Sequence, residues 1–248
     1  MKSLDKEACK GRFIDIHHHI LYGLDDGPET REEMFSMLRV ADAEGIGALI
    51  ATPHVTPGLA PVNEALAQSR LAEANEYCLN NGLNLRIYPG AEVLYNPALA
   101  NMISQGQVPA LAGTRCVLLE FHARVSYREV ESAVRVLQGG GYLPILAHVE
   151  RYRCFRGKTW RLRRLKAACT VLYQMNCAAL TGGNGFFQKK NAERLIAEGL
   201  IDFAATDAHN GSTRACDMRS FYRAAEKLVG TARAQWLTIH SADRYLLR

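Results

Sequence analysis

The chain has 248 residues, of which 48% are hydrophobic, and a formal net charge of +5. This length suits one barrel-sized domain, and the apolar content excludes a disordered chain. The mild positive charge does not by itself indicate nucleic acid, and no apolar run approaches the roughly 18 residues of a membrane span.

Short apolar runs alternate with segments of helical periodicity along the whole chain. The first half predicts strands at residues 12–16, 48–51 and 83–88, each followed by a helix, at residues 30–44, 62–81 and 97–105. The second half predicts strands at residues 116–119, 143–147, 171–175 and 201–205, with helices at residues 127–137, 158–169, 189–198 and 212–229.

This alternation favours parallel strands, and the continuous apolar character of the strands favours burial on both faces. Seven strand–helix units therefore predict an α/β protein with a closed or nearly closed (β/α)7 TIM-like barrel. An open doubly wound sheet is the alternative. We expect residues 12–248 to form a single domain, with residues 1–11 as an N-terminal extension.

Histidines and acids stand at the carboxyl ends of six of the seven predicted strands. In chain order they are His17, His19, His54, Glu92, Glu120, His148, Glu150, Asp207 and His209. In a barrel these ends meet on one face, where the active sites of such folds lie. His-x-His directs two imidazoles to the same side of an extended chain, whereas the intervening His18 points away and is interpreted as structural. The joint placement predicts a metal site.

The predicted donors are nitrogen and oxygen only. This set favours manganese, iron or zinc over a thiolate site, and it is too large for one ion. A carboxylate such as Glu92 can bridge two metals. Ions about 3.5–4 Å apart generate hydroxide at neutral pH and hold both the attacking and the leaving oxygen of a phosphoryl displacement.

The motifs that carry these residues occur in a specific order. They are Phe13-Ile-Asp-Ile-His-His-His-Ile20, Asp25-Asp-Gly-Pro28, Ala51-Thr-Pro-His54, Gly90-Ala-Glu92, Leu119-Glu-Phe121, Ala147-His-Val-Glu-Arg151 and Thr206-Asp-Ala-His-Asn210. Together they resemble the polymerase-and-histidinol-phosphatase (PHP) superfamily of metal phosphoesterases. The likeness spans residues 12–248 and is closest to the bacterial capsule-locus protein-tyrosine phosphatases of the CpsB/CapC/YwqE type.

This resemblance implies a distorted barrel of the PHP type with a cluster of three ions, usually Mn²⁺, with iron or zinc as alternatives. The ligands it implies are His17, His19, Asp26, His54, Glu92, Glu120, His148, Asp207 and His209. Asp26 enters through the resemblance alone. The resemblance also makes Arg151 the phosphate-binding residue, with Arg151, Asp207 and His209 as the catalytic set. The implied substrate is phosphotyrosine on the tail of a tyrosine autokinase that regulates capsular and exopolysaccharide synthesis.

The expected reaction is direct hydrolysis, in which a metal-bridging hydroxide attacks phosphorus while the Arg151 guanidinium neutralises phosphate oxygens. Arg151 also begins a basic run to Lys166 that contains no acid. This run either steers an acidic phosphoprotein tail or forms a solvated helix face. The segment from His54 to Pro61 carries no charge after the histidine, which departs from the family pattern and puts the peptide preference in question.

Other functions stay open at this point. The chain could act on a small phosphomonoester such as histidinol phosphate, resemble an amidohydrolase, or bind metal without turnover. The seven cysteines are odd in number and form no CxxC pair, which predicts reduced thiols in a cytoplasmic protein. None has an arginine six residues later (after Cys154 that residue is Trp160), so a cysteine nucleophile is not expected. His122 and His240 are interpreted as structural, and Asn176 as either lining the pocket or buried.

Overall fold

A computed structural model describes residues 11–59, 63–183 and 185–246. The predicted N-terminal extension lies, apart from Gly11, outside the described residues. The strands are β1 (Phe13–His18), β2 (Ile46–Ala51), β3 (His54–Val55), β4 (Arg86–Pro89), β5 (Glu92–Leu94), β6 (Cys116–Glu120), β7 (Leu143–Leu146), β8 (Leu172–Asn176) and β9 (Phe203–Ala205). Every pair of neighbouring strands is parallel, as the alternation with helices predicts.

The strands curl into a barrel. One sheet has the order β1-β2-β4 and the other the order β3-β5-β6-β7-β8-β9. Strand β3 continues β2, and β5 continues β4, in each case after a break of two residues. The nine strands therefore occupy seven strand positions in the barrel. A parallel bridge between His18 and Ala208, with His19 N donating to Ala208 O over 2.9 Å, joins the two ends. The predicted (β/α)7 barrel is confirmed, and the open sheet is wrong.

The helices cover the outside of the barrel. They are α1 (Arg31–Ala43), α2 (Glu64–Asn80), α3 (Leu99–Ser104), α4 (Tyr127–Gly139), α5 (Thr159–Ala168), α6 (Cys177–Thr181), α7 (Phe186–Ala197), α8 (Met218–Val229), α9 (Thr231–Gln235) and α10 (Ser241–Leu246). Capping boxes begin two of them: Thr30 with Glu33 for α1, and Ser126 with Glu129 for α4. No helix of the described ranges is both long and apolar enough to cross a bilayer.

One predicted helix is wrong at its start. The pattern predicts a helix from residue 212, but α8 begins at Met218. The preceding residues form a loop in which the Asn210 carboxamide oxygen accepts from the backbone N–H groups of Ser212 and Arg214. An asparagine side chain that accepts from nearby backbone N–H groups competes with the hydrogen bonds of a helix. The predicted helix therefore does not form in this loop. The loop carries Arg214 to the end of the barrel where the strands finish.

The core has two layers. Alternate strand residues, including Ile16, Ile50 and Leu118, fill the barrel, and the residues between them pack against the helices. With both faces of the strands buried, polar side chains concentrate at the strand ends, and the carboxyl ends carry the candidate site.

Candidate metal centre

All nine predicted ligands lie together at the carboxyl end of the barrel. Glu92, the first residue of β5, is at their centre and is 1% exposed. Its Oε2 lies 3.1 Å from His17 Nε2 and 3.3 Å from His19 Nε2. One carboxylate that faces several imidazoles at these distances has the geometry of a bridging ligand.

The deepest group joins β1 to the end of β9. His17 Nε2 and His19 Nε2 are 3.3 Å apart, so the predicted convergence of the His-x-His pair is confirmed. Asp207 Oδ1 lies 3.3 Å from His17 Nε2 and 3.6 Å from His19 Nε2. With Glu92 these residues offer four ligand atoms within 4.8 Å of one another. His18 is buried and belongs to none of these contacts.

A second group lies toward solvent. Asp26 Oδ1 is 3.1 Å from His209 Nε2 and 3.4 Å from His54 Nε2. His19 completes this group, whose ligand atoms also fall within 4.8 Å of one another. His19 is therefore shared between the deep and the outer group.

The third group faces the cleft. His148 Nε2 lies 2.9 Å from Glu92 Oε1 and 3.5 Å from Glu120 Oε1. His54 Nδ1 lies 3.3 Å from Glu92 Oε2 and 3.7 Å from Glu120 Oε2. Three overlapping groups with shared members fit several ions better than one.

Backbone conformation also marks the site. Non-glycine residues with positive φ are His148 (30°), Asp207 (53°) and Ala112 (50°) among the described positions. Such conformations cost free energy and persist only where the surroundings hold them. Two of the three are predicted ligands. A backbone conformation that lowers stability therefore orients these two side chains.

Two residues that the sequence analysis did not single out hold the ligands in place. Asp25 Oδ2 accepts from His19 Nδ1 over 2.6 Å. Gln174 Oε1 accepts from the backbone N–H of His148 over 2.6 Å and lies 3.3 Å from His17 Nδ1. Metal-bound histidines characteristically have such a partner on their second nitrogen. The Asp25-Asp26 pair in sequence was the available signal for Asp25.

Asn176 supports the same site from the end of β8. Its Nδ2 donates to Asp207 Oδ2 over 2.6 Å, and its Oδ1 accepts from Gln174 Nε2 over 2.9 Å. Of the two alternatives left open from the sequence, Asn176 is the buried, hydrogen-bonded one. A chain of amides thus links the ligand loops after β7 and β9.

Two arginines reach the acids of the centre. Arg151 is 45% exposed on the turn Val149–Arg151, and its Nη1 lies 3.8 Å from Asp207 Oδ2. Arg214, which sequence reasoning missed, donates from Nη1 to Asp26 over 3.2 Å and from Nη2 to Asp207 over 3.1 Å. Only the long irregular loop before α8 makes that second contact possible, so no periodicity could have indicated it.

The protonation of the site is unusual without a metal. Burial alone would lower the pKa of His19, but Asp25 and Glu92 raise it to about 10. Burial likewise opposes charge on His148, and Glu120 and Glu92 raise its pKa to about 10. Burial alone would raise the pKa of Glu92, yet His17 and His148 hold it well below its ordinary value. The carboxylates therefore favour positive charge on their neighbours, and bound metal ions would supply such charge.

The residues fit metal ions by a further test. His209 Nε2 is buried and makes no hydrogen bond to the described residues, although Asp26 Oδ1 is only 3.1 Å away. The two atoms are close but poorly oriented for sharing a proton. An imidazole nitrogen and a carboxylate oxygen in this relation are suited to a common metal ion, and the donor set is typical of Mn²⁺, Fe or Zn²⁺.

A cleft of about 410 Å³ opens onto the third group. Its lining residues include His54, Thr56, Glu120, His122, His148 and Arg151. His122, interpreted from the sequence as structural, is exposed and lines this cleft. Three of the predicted ligands, His54, Glu120 and His148, therefore line the same cleft as Arg151.

Known proteins share these features over almost the whole chain. The family model for capsular polysaccharide synthesis, CpsB/CapC, matches residues 13–247. The tyrosine-protein phosphatase YwqE of Bacillus subtilis (strain 168) is 32% identical over 91% of this chain and 88% of its own length. The tyrosine-protein phosphatase CpsB of Streptococcus pneumoniae is 27% identical over 94% of this chain and 98% of its own.

A solved structure extends the likeness to three dimensions. It comes from work on YwqE of Bacillus subtilis and CpsB of Streptococcus pneumoniae, described as unique metal-dependent tyrosine phosphatases. It superposes with a TM-score of 0.86 at 30% identity and covers 94% of each chain.

Proposed function

The chain belongs to the CpsB/CapC family of capsular polysaccharide synthesis, and from that premise we propose that its metal centre hydrolyses phosphotyrosine in proteins. It is a metal-dependent tyrosine-protein phosphatase. The observation that carries this conclusion is the convergence of four imidazoles on the single buried carboxylate of Glu92, beside a cleft that Arg151 lines.

The ligand residues have separate tasks in this proposal. His17, His19, Glu92 and Asp207 would hold the deep metal ion, and His54, Glu120 and His148, with Glu92 shared, would hold the ion at the cleft. Asp26, His209, His19 and His54 would hold the outer ion. When bound, the ions, for which we propose Mn²⁺, would supply positive charge to the phosphate and would lower the pKa of water.

The remaining groups bind and orient. Arg151 stands at the cleft with a planar guanidinium that matches two phosphate oxygens at once. It neutralises charge that spreads over the equatorial oxygens in a largely dissociative transition state. Arg214 holds Asp26 and Asp207 together. Asp207 and His209 act in catalysis through the positions they give to the metal cluster.

The substrate is a tyrosine-phosphorylated protein, and we propose that it is the tail of a tyrosine autokinase of polysaccharide synthesis. Thr56, in the uncharged stretch that follows His54, is part of the cleft lining. We therefore assign recognition of the phosphate charge to Arg151. A cleft of about 410 Å³ has room for a phosphorylated side chain that extends from a peptide.

The test is hydrolysis by the stripped and reloaded protein. After chelation we expect no turnover of a phosphotyrosine peptide, and full turnover after Mn²⁺ is returned. Phosphoserine peptide and histidinol phosphate, assayed in parallel, should be poorer substrates by kcat/KM. Full turnover with no metal detectable by elemental analysis would contradict metal dependence, and a preference for histidinol phosphate would favour the small-substrate alternative.

A further inference from the structure

Three large aromatic side chains stand in solvent at the starts of two helices. Trp160, the second residue of α5, is 54% exposed, and Phe186 and Phe187, which begin α7, are 68% and 88% exposed. Among the described residues with large exposed apolar side chains, these three are the aromatic ones. Exposed apolar residues scattered singly are ordinary, whereas a cluster of large ones marks an interaction surface.

These aromatics lie at the catalytic face. Helix α7 packs against the turn Val149–Arg151. Farther along, Arg194 Nη2 donates to Thr159 Oγ1 over 3.4 Å and Arg163 Nη2 to Glu198 Oε2 over 2.9 Å. Helices α5 and α7 therefore run side by side in the same direction, and each begins at the end of the barrel where the strands finish.

The distance from the anchored part of α7 to its start is short. Arg194 is seven positions after Phe187, which is about 10 Å of helix. That length carries the phenylalanines beyond the start of α5, toward the loop that follows Arg151. They therefore lie toward the same end of the barrel as Arg151.

The cations on these elements are of two kinds. Arg163, Lys166, Lys190 and Arg194 pair with Glu198, Asp202 and Glu193. Others have no ion pair with any described residue, and they include Arg153, Arg156, Lys158 and Lys189. Unneutralised charge next to exposed rings suits a partner with both acidic and apolar groups.

We propose that this surface binds the stretch of substrate polypeptide next to the phosphotyrosine, and that this stretch is acidic. We call the surface the aromatic–basic rim, and it comprises Arg153, Arg156, Lys158, Trp160, Phe186, Phe187 and Lys189. The inference rests on the proposed phosphotyrosine activity, since Arg151 connects the rim to the cleft. The rings cover apolar parts of the peptide, and the cations pair with its carboxylates.

The experiment compares binding with turnover. The probes are two labelled peptides that carry a non-hydrolysable difluorophosphonate in place of phosphotyrosine, one with flanking glutamates and one with flanking glutamines. Their Kd is measured by fluorescence anisotropy on the metal-loaded protein. The variants are Phe186→Ser with Phe187→Ser, and Arg156→Glu with Lys158→Glu. The matched controls are Leu79→Ser, at a side chain 80% exposed on α2, and Arg223→Glu on α8.

We expect each rim variant to weaken binding of the acidic peptide by about tenfold, as the loss of an interface anchor does. Hydrolysis of free phosphotyrosine should stay within about twofold of wild type, because that substrate does not reach the rim, and the controls should leave both values unchanged. Equal Kd in the wild type and the phenylalanine variant, or equal Kd for the two peptides, would overturn the proposal.

Two further results separate the possibilities. If the phenylalanine variant lost binding to phosphatidylglycerol vesicles but kept its affinity for the acidic peptide, the rim would bind a membrane surface and the proposal would be wrong. If the wild type hydrolysed no phosphotyrosine substrate, the proposed function would fail. The Kd values of the non-hydrolysable peptides would still decide whether the rim binds an acidic polypeptide.

Discussion

Asp25 Oδ2 lies 2.6 Å from His19 Nδ1, and the same oxygen accepts a hydrogen bond of 3.1 Å from the backbone N–H of His54. One carboxylate thus fixes the ring of His19, a predicted ligand just after β1, and the backbone of His54, a predicted ligand in β3. With Nδ1 engaged, His19 directs Nε2 at Glu92 and Asp207. Asp25 itself belongs to none of the ligand groups around the centre, so its contribution is orientation and charge.

Asp25→Asn is expected to weaken metal binding about 10- to 100-fold, because partners of this kind fix the orientation and raise the basicity of a ligating histidine. Activity at saturating Mn²⁺ should fall much less than activity at limiting Mn²⁺. Calorimetric titration of the stripped protein measures the affinity. Asp243→Asn, on α10, is the control. An unchanged affinity would reduce Asp25 to a loop-stabilising residue.

Arg151→Lys is expected to lower kcat on a phosphotyrosine peptide by about 10²–10³, since the ammonium keeps the charge but loses the planar fork. Metal content should stay that of the wild type, because guanidinium does not ligate metal. Both are measured on the same sample, by steady-state kinetics and elemental analysis. Arg128→Lys, at an exposed position on α4, is the control. An Arg151→Lys variant with wild-type kcat would show that Arg151 takes no part in the reaction. A loss of metal in parallel with activity would show instead that Arg151 supports the loop that carries His148.

The sequence predicts the parts of this site that follow from strand ends. Apolar runs locate the strands, and the barrel brings their carboxyl ends together, so His17, Glu92 and His148 could be grouped without a structure. Asp26 could not, because it lies in a loop and has no strand to place it. It was found only through the resemblance to known phosphatases.

Other features depend on tertiary contacts that no local pattern encodes. Arg214 reaches Asp207 because Asn210 holds its loop in an irregular form and delays the start of α8. Gln174 looks like an ordinary strand residue until the barrel places it against the His148 backbone. The short strands β3 and β5 also escape detection, since each is too brief to show a period.

Cys154→Ser is expected to leave kcat/KM within about twofold of wild type. Burial raises the pKa of the Cys154 thiol to about 11, so it is protonated at neutral pH and is a weak nucleophile. The assay uses a phosphotyrosine peptide and Mn²⁺-loaded protein, with Cys78→Ser as a second buried-thiol control. Loss of turnover in a folded Cys154→Ser protein that retains its metal would instead indicate a covalent cysteine mechanism.

The buried carboxyl group of Glu150 makes the stability of the fold depend on pH. It is 2% exposed, its Oε1 accepts from the backbone N–H of Asn176 over 3.3 Å, and its Oε2 has no hydrogen bond within the described residues. Burial raises its pKa from 4.5 to about 7, against the lowering effect of His148 and Arg151. The folded protein therefore holds this proton more tightly than the unfolded chain does. The associated stability is fully present below about pH 4.5 and is lost as the pH rises through 7.

Glu150→Gln keeps the shape and the acceptor for Asn176 but removes the ionisation. We therefore expect the metal-free variant to gain stability relative to wild type as the pH rises from 5 to 8, by up to about 3 kcal/mol. Other groups titrate in this range, so the informative quantity is the difference in free energy of unfolding between variant and wild type at each pH. Urea denaturation in the presence of chelator measures it, with Glu32→Gln on the exposed side of α1 as the control. A difference that is the same at both pH values would mean that Glu150 is ionised in the folded protein throughout, stabilised by His148 and Arg151 despite its burial.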